Sequence, residues 1–180
     1  MNKKILSTLL FLALPAISFS DCRLANSDCE ITTLGIIELT SKVNSGDGYS
    51  HITLNGKDIY KAKTSYMVLN TSNADYSLKE KKYLITKAII SYVSDAPCNP
   101  DKSTSYCSMN VILDLTSGKP VFSNEFFSES GGGSQITWVS WGKANSIIVI
   151  DNELRFKYSN GHIERVTKVK DATGNSSDVK

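Results

Sequence analysis

The amino-acid sequence predicts an all-β fold, in which an antiparallel meander forms two packed sheets or a barrel-like sandwich with local disulfides. From Ile31 onward the apolar residues recur with a period of two or form short β-branched runs, and turn residues interrupt them at close intervals. This pattern is typical of strands. Strands and helices do not alternate along the chain, so the sheets are expected to be antiparallel.

A tight hairpin is the clearest predicted element. Residues 49–54 and 57–61 both alternate as strands, and Asn55 and Gly56 separate them. An Asn-Gly pair supplies the two positive-φ positions that a two-residue hairpin turn requires. We therefore predict a β-hairpin over residues 49–61.

Further strands are predicted in the C-terminal half. Strands at residues 109–116 and 119–123 are joined at Ser117 and Gly118, and Pro120 is expected at a sheet edge or a strand start. A third set is expected at residues 134–140, 146–150, 154–158 and 162–166, with turns at 151–152 and 160–161.

The middle of the chain is harder to assign. Residues 84–93 fit a helical apolar stripe and also a buried strand, and we prefer the strand. The preceding residues 70–82 are polar and charged, and we expect a loop or a short solvated helix there.

The first twenty residues have the pattern of an export signal. Lys3 and Lys4 precede an apolar run at residues 5–14, which ends near small residues. This run is too short to span a bilayer, and Asp21 stands where a lipoprotein would carry cysteine. We expect a cleaved signal peptide over residues 1–20, a single β domain over 21–170, a disordered tail over 171–180 and a periplasmic location without a membrane anchor.

The chain without its signal is close to neutral. Two of the 20 Lys and Arg side chains are Lys3 and Lys4, which leaves 18 to balance 18 Asp and Glu. A neutral domain lacks the basic surface that supplies most non-specific nucleic-acid affinity. No nucleic-acid partner is expected.

The four cysteines are expected to form disulfides, because oxidising compartments favour them. Of the three possible connectivities, we prefer the short-range pairs Cys22–Cys29 and Cys98–Cys107. A zinc site is the alternative, but neither pair has zinc-knuckle spacing and the chain has only two histidines. We expect no metal and no cofactor.

No catalytic set stands out in the sequence. Ser134 follows three glycines but lacks the G-x-S-x-G elbow of serine hydrolases, and His51 and His162 have the pattern of ordinary strand residues. A carboxylate pair needs only spatial proximity. The acidic residues near predicted turns that could supply one are Glu125, Glu129, Asp151 and Glu153.

Two small, polar, glycine-rich loops lie beside aromatic residues and are candidate partner-binding sites. Such loops can approach a partner closely and can present anchoring side chains, whereas Trp138 and Trp141 are expected in the core. The candidate contacts are Ser45, Gly46, Asp47 and Tyr49 in the first loop, and Ser128, Glu129, Ser130, Gly132 and Ser134 in the second.

The run from Ser45 to Tyr49 is similar to the Ser-Gly-x-Tyr pattern that inhibitors of invertebrate-type lysozymes insert into the enzyme cleft, with one extra residue. Periplasmic immunity proteins of contact-dependent or type VI secretion systems likewise block a toxin's active site with a protruding loop, and residues 128–134 would suit that role. The chain resembles these exported inhibitors of cell-wall hydrolases.

The resemblance implies a non-enzymatic protein that binds and occludes a cell-wall-targeting toxin or hydrolase. Immunity to a delivered effector is preferred over lysozyme inhibition, because of the extra residue. One alternative is a carboxylate-dependent cell-wall or glycan hydrolase. Another is a structural subunit of an envelope complex.

Overall fold

The computed structural model describes residues 28–79, 81–97, 106–127, 135–166, 169–170 and 176–177. The predicted β class is confirmed, because strands dominate these residues and their one helix, α1 (Lys42–Ser45), is a single turn. No helix in the described ranges is long and apolar enough to cross a membrane.

The first sheet contains nine strands and curls on itself. They are β1 (Asp28–Thr32), β2 (Gly35–Thr40), β3 (Ser50–Leu54), β4 (Lys57–Ala62), β5 (Met67–Lys79), β6 (Lys82–Pro97), β7 (Tyr106–Asp114), β8 (Val121–Phe122) and β9 (Phe126–Phe127). Their order is β4-β3-β2-β1-β6-β7-β8, with β5 on the other edge of β6 and β9 on β7.

The prediction of purely antiparallel sheets is wrong at one position. Strands β1 and β6 run parallel and meet at Thr32 and Ile85, where the Thr33 backbone N–H donates to the Ile85 carbonyl oxygen over 3.0 Å. Strand β7 pairs with the same edge of β6 only from Lys87 onward. The curling sheet therefore brings β1 to the stretch of β6 that β7 leaves free.

A second sheet follows the predicted meander closely. It consists of β10 (Ile136–Ser140), β11 (Ser146–Ile150), β12 (Leu154–Ser159) and β13 (His162–Arg165), paired antiparallel in that order. Asp151 and Asn152 adopt φ values of 54° and 60° in the first predicted turn. Two further short strands, β14 (Val169–Lys170) and β15 (Ser176–Ser177), pair with each other.

The hairpin predicted at residues 49–61 is confirmed as β3 and β4, with φ values of 52° at Asn55 and 75° at Gly56. The Asn55 side chain also joins this turn to the turn before β2. Its Oδ1 accepts from the Ile36 backbone N–H over 3.0 Å, and its Nδ2 donates to the Leu34 carbonyl oxygen over 3.0 Å.

Residues 84–93 lie within β6, so the preferred strand is confirmed. The loop or helix expected at residues 70–82 is wrong, because β5 continues to Lys79 and β6 begins at Lys82. Lys81, which precedes β6, has φ of 64°. The polar residues of β5 adopt a strand conformation because they pair with the apolar strand β6. Their register shifts between Asn70 and Tyr76, which is a local irregularity that weak strand formers tolerate.

Two apolar cores lie on opposite faces of the layer formed by β5, β6 and β7. Ile90 and Val111 belong to the core under β1–β4, whereas Ile89 and Ile112 belong to the core under the second sheet. Neighbouring residues of a strand point to opposite faces. This layer is therefore covered on both sides, which explains why the Val/Ile runs of β6 and β7 do not alternate with polar residues.

Three sequence-based predictions fall largely on residues that the structure does not describe. The predicted signal peptide lies wholly outside the described ranges, and the predicted tail lies outside them apart from Ser176–Ser177. Cys29 and Cys107 are not free thiols. Cys22 and Cys98 are outside the described residues, so the two disulfide pairings stay predictions.

Candidate functional site

The first predicted loop is a compact turn between β2 and β3, which we call the 42–49 loop: helix α1 followed by residues 46–49. It contains Ser45, Gly46, Asp47 and Tyr49, so these four predicted residues lie together. Gly46 ends α1 with φ of 75° and Gly48 has φ of 88°. Both values lie in the left-handed region that glycine adopts without steric cost, which is why the chain can turn back within so few residues.

Hydrogen bonds within the loop hold its shape. The Tyr49 backbone N–H donates to Asp47 Oδ1 over 2.9 Å, in the manner of an Asx turn. The Ser45 hydroxyl lies 2.6 Å from the Tyr49 carbonyl oxygen and 3.0 Å from Asp47 Oδ1. Ser45 and Asp47, which the sequence predicts as partner contacts, thus also stabilise the conformation of the loop.

His51 of β3 attaches the loop to the sheet. Its Nε2 lies 2.9 Å from Asp47 Oδ2, and its Nδ1 lies 3.2 Å from Asp58 Oδ2 on β4. The hydrogen bond to Asp47 holds the pKa of His51 above its ordinary value of 6.5, although partial desolvation opposes this. The same bond is the main reason that the pKa of Asp47 falls from 3.8 to about 2.

With both ring nitrogens facing carboxylates, His51 has no free nitrogen to take a proton from a third group. The arrangement therefore fits a positioning role and not that of a general base. It also differs from a metal site, and the described part of the chain contains no group of three His, Cys, Asp or Glu side chains that could hold a metal ion.

Buried polar contacts fix the back of the 42–49 loop. Ser50 is fully buried; its hydroxyl accepts from the Lys42 backbone N–H over 3.0 Å and donates to the Thr64 carbonyl oxygen over 2.8 Å. Lys42 Nζ forms an ion pair with Asp95 Oδ2 at 2.8 Å. The loop is thereby joined to β3, to β6 and to the connection between β4 and β5.

The front of the loop faces solvent. Val43 is 86% exposed, which is the largest exposure of any large apolar side chain among the described residues. The Tyr49 side chain is about one-third exposed, and Lys61 Nζ lies 4.7 Å from the centroid of its ring. An apolar side chain is thus presented on a backbone that its own hydrogen bonds fix in place.

The second predicted loop cannot be placed. Ser128, Glu129, Ser130, Gly132 and Ser134 all lie outside the described residues.

Of the tryptophans expected in the core, Trp141 is half-buried against the second core and donates from Nε1 to the Asn73 carbonyl oxygen over 2.7 Å. The expectation is wrong for Trp138, which is 54% exposed, because it points outward from β10, an edge strand of the second sheet.

The candidate carboxylates serve separate structural tasks where the structure describes them. Glu125 Oε1 accepts from the hydroxyl groups of Tyr92 and Tyr60, and burial followed by this hydrogen bond raises the pKa of Tyr92. Asp151 Oδ1 accepts from the Gln135 backbone N–H over 2.8 Å, next to the β11–β12 turn that also carries Glu153.

Sequence reasoning missed Val43, Asp58 and Lys61 as parts of the site. The predicted hairpin contained a signal for Asp58, since its two-residue turn places that residue opposite Thr53 and therefore on the same face as His51. Val43 gave no comparable signal, because one valine among polar residues has no periodicity.

Comparison of the chain with models of protein families, with curated proteins and with solved structures found no match to any of them.

Proposed function

We propose that this chain is a periplasmic, non-enzymatic immunity or inhibitor protein that occludes a cell-wall-targeting toxin or hydrolase with its 42–49 loop. The observation that carries the proposal is the contrast within that loop. Ser45, Asp47 and His51 fix the backbone, while Val43 at its front is almost fully exposed.

Pre-organisation supports a binding role, because a loop that is already ordered loses little conformational entropy when it enters a partner's cleft. Inhibitor loops that work in this way need an anchor that can be buried, and exposed apolar side chains at the front of a rigid loop supply one. Val43 fits that requirement, and the same loop carries Tyr49, whose ring contacts Lys61 Nζ.

The choice of an enzyme as the partner rests on shape and on the predicted export. An exposed loop on a β scaffold can enter a concave surface, and the small-molecule sites of enzymes are concave. Of the two versions, immunity to a delivered effector is preferred, since the Ser45 to Tyr49 run departs from the lysozyme-inhibitor pattern by one residue.

The test is a binding panel with the oxidised chain from residue 21 onward. The probes are any toxin encoded beside the gene and lysozymes of the chicken, goose and invertebrate types, each titrated by calorimetry. We expect one of them to bind with a Kd well below a micromolar and to lose its hydrolytic activity at one-to-one stoichiometry.

A matched pair of variants locates the binding surface. Val43→Asp places a charge at the front of the 42–49 loop, and Leu78→Asp makes the same change at the far end of β5, where Leu78 is also exposed. Only Val43→Asp should weaken binding. The proposal fails if no probe binds, or if the chain itself releases soluble fragments from peptidoglycan.

A further inference from the structure

The hairpin of β5 and β6 extends beyond the strands beside it. These are the longest described strands, with 13 and 16 residues. On the edge of β6 that faces away from β5, the pairing with β7 stops at Lys87, opposite Asp114, and β1 pairs at Ile85. In the described part of the chain no other strand pairs with the hairpin between Ile85 and its turn, so this end projects from the sheet.

Three large side chains share one face of that projecting end. Leu78 and Tyr83 lie directly opposite each other and are 65% and 73% exposed. Tyr76, two residues before Leu78, lies on the same face and is also exposed. Directly opposed side chains in an antiparallel pair are neighbours, so these residues form one small apolar patch.

Positive charges lie at the turn end of the patch. Lys79, Lys81 and Lys82 are all exposed, and within the described ranges none of them forms an ion pair. Residues 79–82 carry three lysines against one glutamate, in a chain that is otherwise close to neutral. The hairpin end is therefore a local basic and apolar feature, which we call the hairpin tip: Tyr76, Leu78, Lys79, Lys81, Lys82 and Tyr83.

We propose that the hairpin tip docks reversibly on the surface of an anionic phospholipid bilayer. Tyrosine rings and leucine enter the headgroup boundary while lysine stems extend their charges to the lipid phosphates. Each lysine near an anionic surface strengthens binding by about fivefold. Three apolar side chains are too few for a specific protein interface of about 800 Å² per partner, which favours the membrane surface over an acidic protein.

This docking is independent of the 42–49 loop. It would hold the protein at the membrane while the loop stays free to meet a partner.

The test is co-sedimentation of the oxidised chain from residue 21 onward with vesicles. One set contains phosphatidylglycerol and phosphatidylcholine, and the other contains phosphatidylcholine alone. We expect binding to the first set only, and a loss of most of that binding at high salt, since salt screens exposed charges.

Two variants assign the binding to the hairpin tip. Leu78→Ser with Tyr83→Ser removes the apolar pair, and Lys79→Gln with Lys81→Gln and Lys82→Gln removes only charge from side chains that pack on nothing in the core. Each set should reduce vesicle binding tenfold or more. Val43→Ser changes an apolar side chain that is even more exposed but lies outside the hairpin tip, and this variant should bind vesicles like the wild type.

Three results would overturn the proposal. One is absence of wild-type binding to anionic vesicles, and another is undiminished binding by the lysine variant with a native thermal transition. The third is retention on immobilised polyglutamate through the same lysines without any binding to vesicles, which would identify an acidic protein as the partner.

Discussion

His51 Nε2 and Asp47 Oδ2 lie 2.9 Å apart, and this contact joins the 42–49 loop to the first strand after it. Asp58 contacts the other ring nitrogen, so the imidazole is fixed from both sides. The loop's shape thus depends on a side chain whose charge changes with pH, and the hydrogen bond to Asp47 raises the pKa of that side chain above 6.5.

The attachment of the loop should depend on pH in a defined window. The pKa of His51 is raised in the folded state, so its contribution is complete below 6.5 and is lost as the pH rises through the raised value. The pKa of Asp47 is lowered from 3.8 to about 2, so its contribution is present above 3.8 and is lost as the pH falls through about 2. Both contributions are therefore complete between pH 3.8 and pH 6.5, and the loop should be attached most firmly in that range.

An NMR titration of the His51 ring protons measures this directly. In the wild type the midpoint should exceed 6.5, and in Asp47→Asn it should fall towards 6.5, since the variant keeps the hydrogen-bonding shape but removes the charge. A His51 midpoint unchanged by Asp47→Asn would contradict the proposed attachment.

Ser50→Ala should weaken the attachment of the 42–49 loop to the rest of the sheet. The change removes one of the two acceptors of the Lys42 backbone N–H, which also donates to the Ser65 carbonyl oxygen over 3.2 Å. It also removes the buried donor to the Thr64 carbonyl oxygen, and the free energy of unfolding should fall by about 1–3 kcal/mol. Ser146→Ala is the control, because Ser146 is equally buried and accepts from the Gly142 backbone N–H in the second sheet.

Hydrogen exchange distinguishes the two serine variants. Both should be less stable in denaturant, but only Ser50→Ala should accelerate exchange of the Lys42 and Tyr49 backbone amides relative to the core strands. Equal acceleration in both variants would mean that Ser50 has no specific role in the loop.

Gly35→Ala should destabilise the fold more than most glycine substitutions. Gly35 has φ of 130°, and an added Cβ would collide with the Asn55 side chain that links the two turns. The expected loss is about 2–3 kcal/mol in denaturant unfolding. At Gly118, with φ of 79° and open space around a Cβ, the same change should cost only about 1 kcal/mol; similar losses at both positions would refute the steric argument.

Non-reducing peptide mapping by mass spectrometry tests the two predicted disulfides. We expect Cys22 linked to Cys29 and Cys98 linked to Cys107, and reduction should lower the free energy of unfolding by roughly 2–3 kcal/mol for each. Peptides that join Cys29 to Cys98, or Cys22 to Cys107, would show that the short-range pairing is wrong.

The sequence predicted elements well where local chemistry decides the structure. Asn55 and Gly56 prefer positive φ, so the β3–β4 hairpin followed from two residues. The turns at Asp151 and Asn160 likewise marked the ends of β11 and β12 within the second sheet. Each of these turns forms from residues that are adjacent in the chain, which makes the pattern readable without any knowledge of the rest of the fold.

Elements that depend on a distant partner were not predictable in this way. Strand β5 carries Asn70, Ser72 and Asn73, which are poor strand formers, and only pairing with β6 makes it a strand. The parallel contact of Thr32 with Ile85 likewise results from curling of the whole sheet, which leaves no local signature.

The site was predictable in part. Its polar residues were found because glycines and short polar side chains mark a tight loop, but the exposure of Val43 depends on which side of that loop faces solvent. That orientation depends on the contacts that Lys42 of α1 makes with Ser50 on β3 and with Asp95 on β6. Neither contact can be read from the residues of the loop alone.

The most direct test of the central claim is an inhibition titration of the toxin or hydrolase that binds in the panel, comparing Val43→Asp with Leu78→Asp. We expect stoichiometric inhibition by the wild type and by Leu78→Asp, and a loss of at least tenfold in affinity, about 1.4 kcal/mol or more, for Val43→Asp. Equal inhibition by Val43→Asp and the wild type would contradict it, because the 42–49 loop would then lie outside the interface.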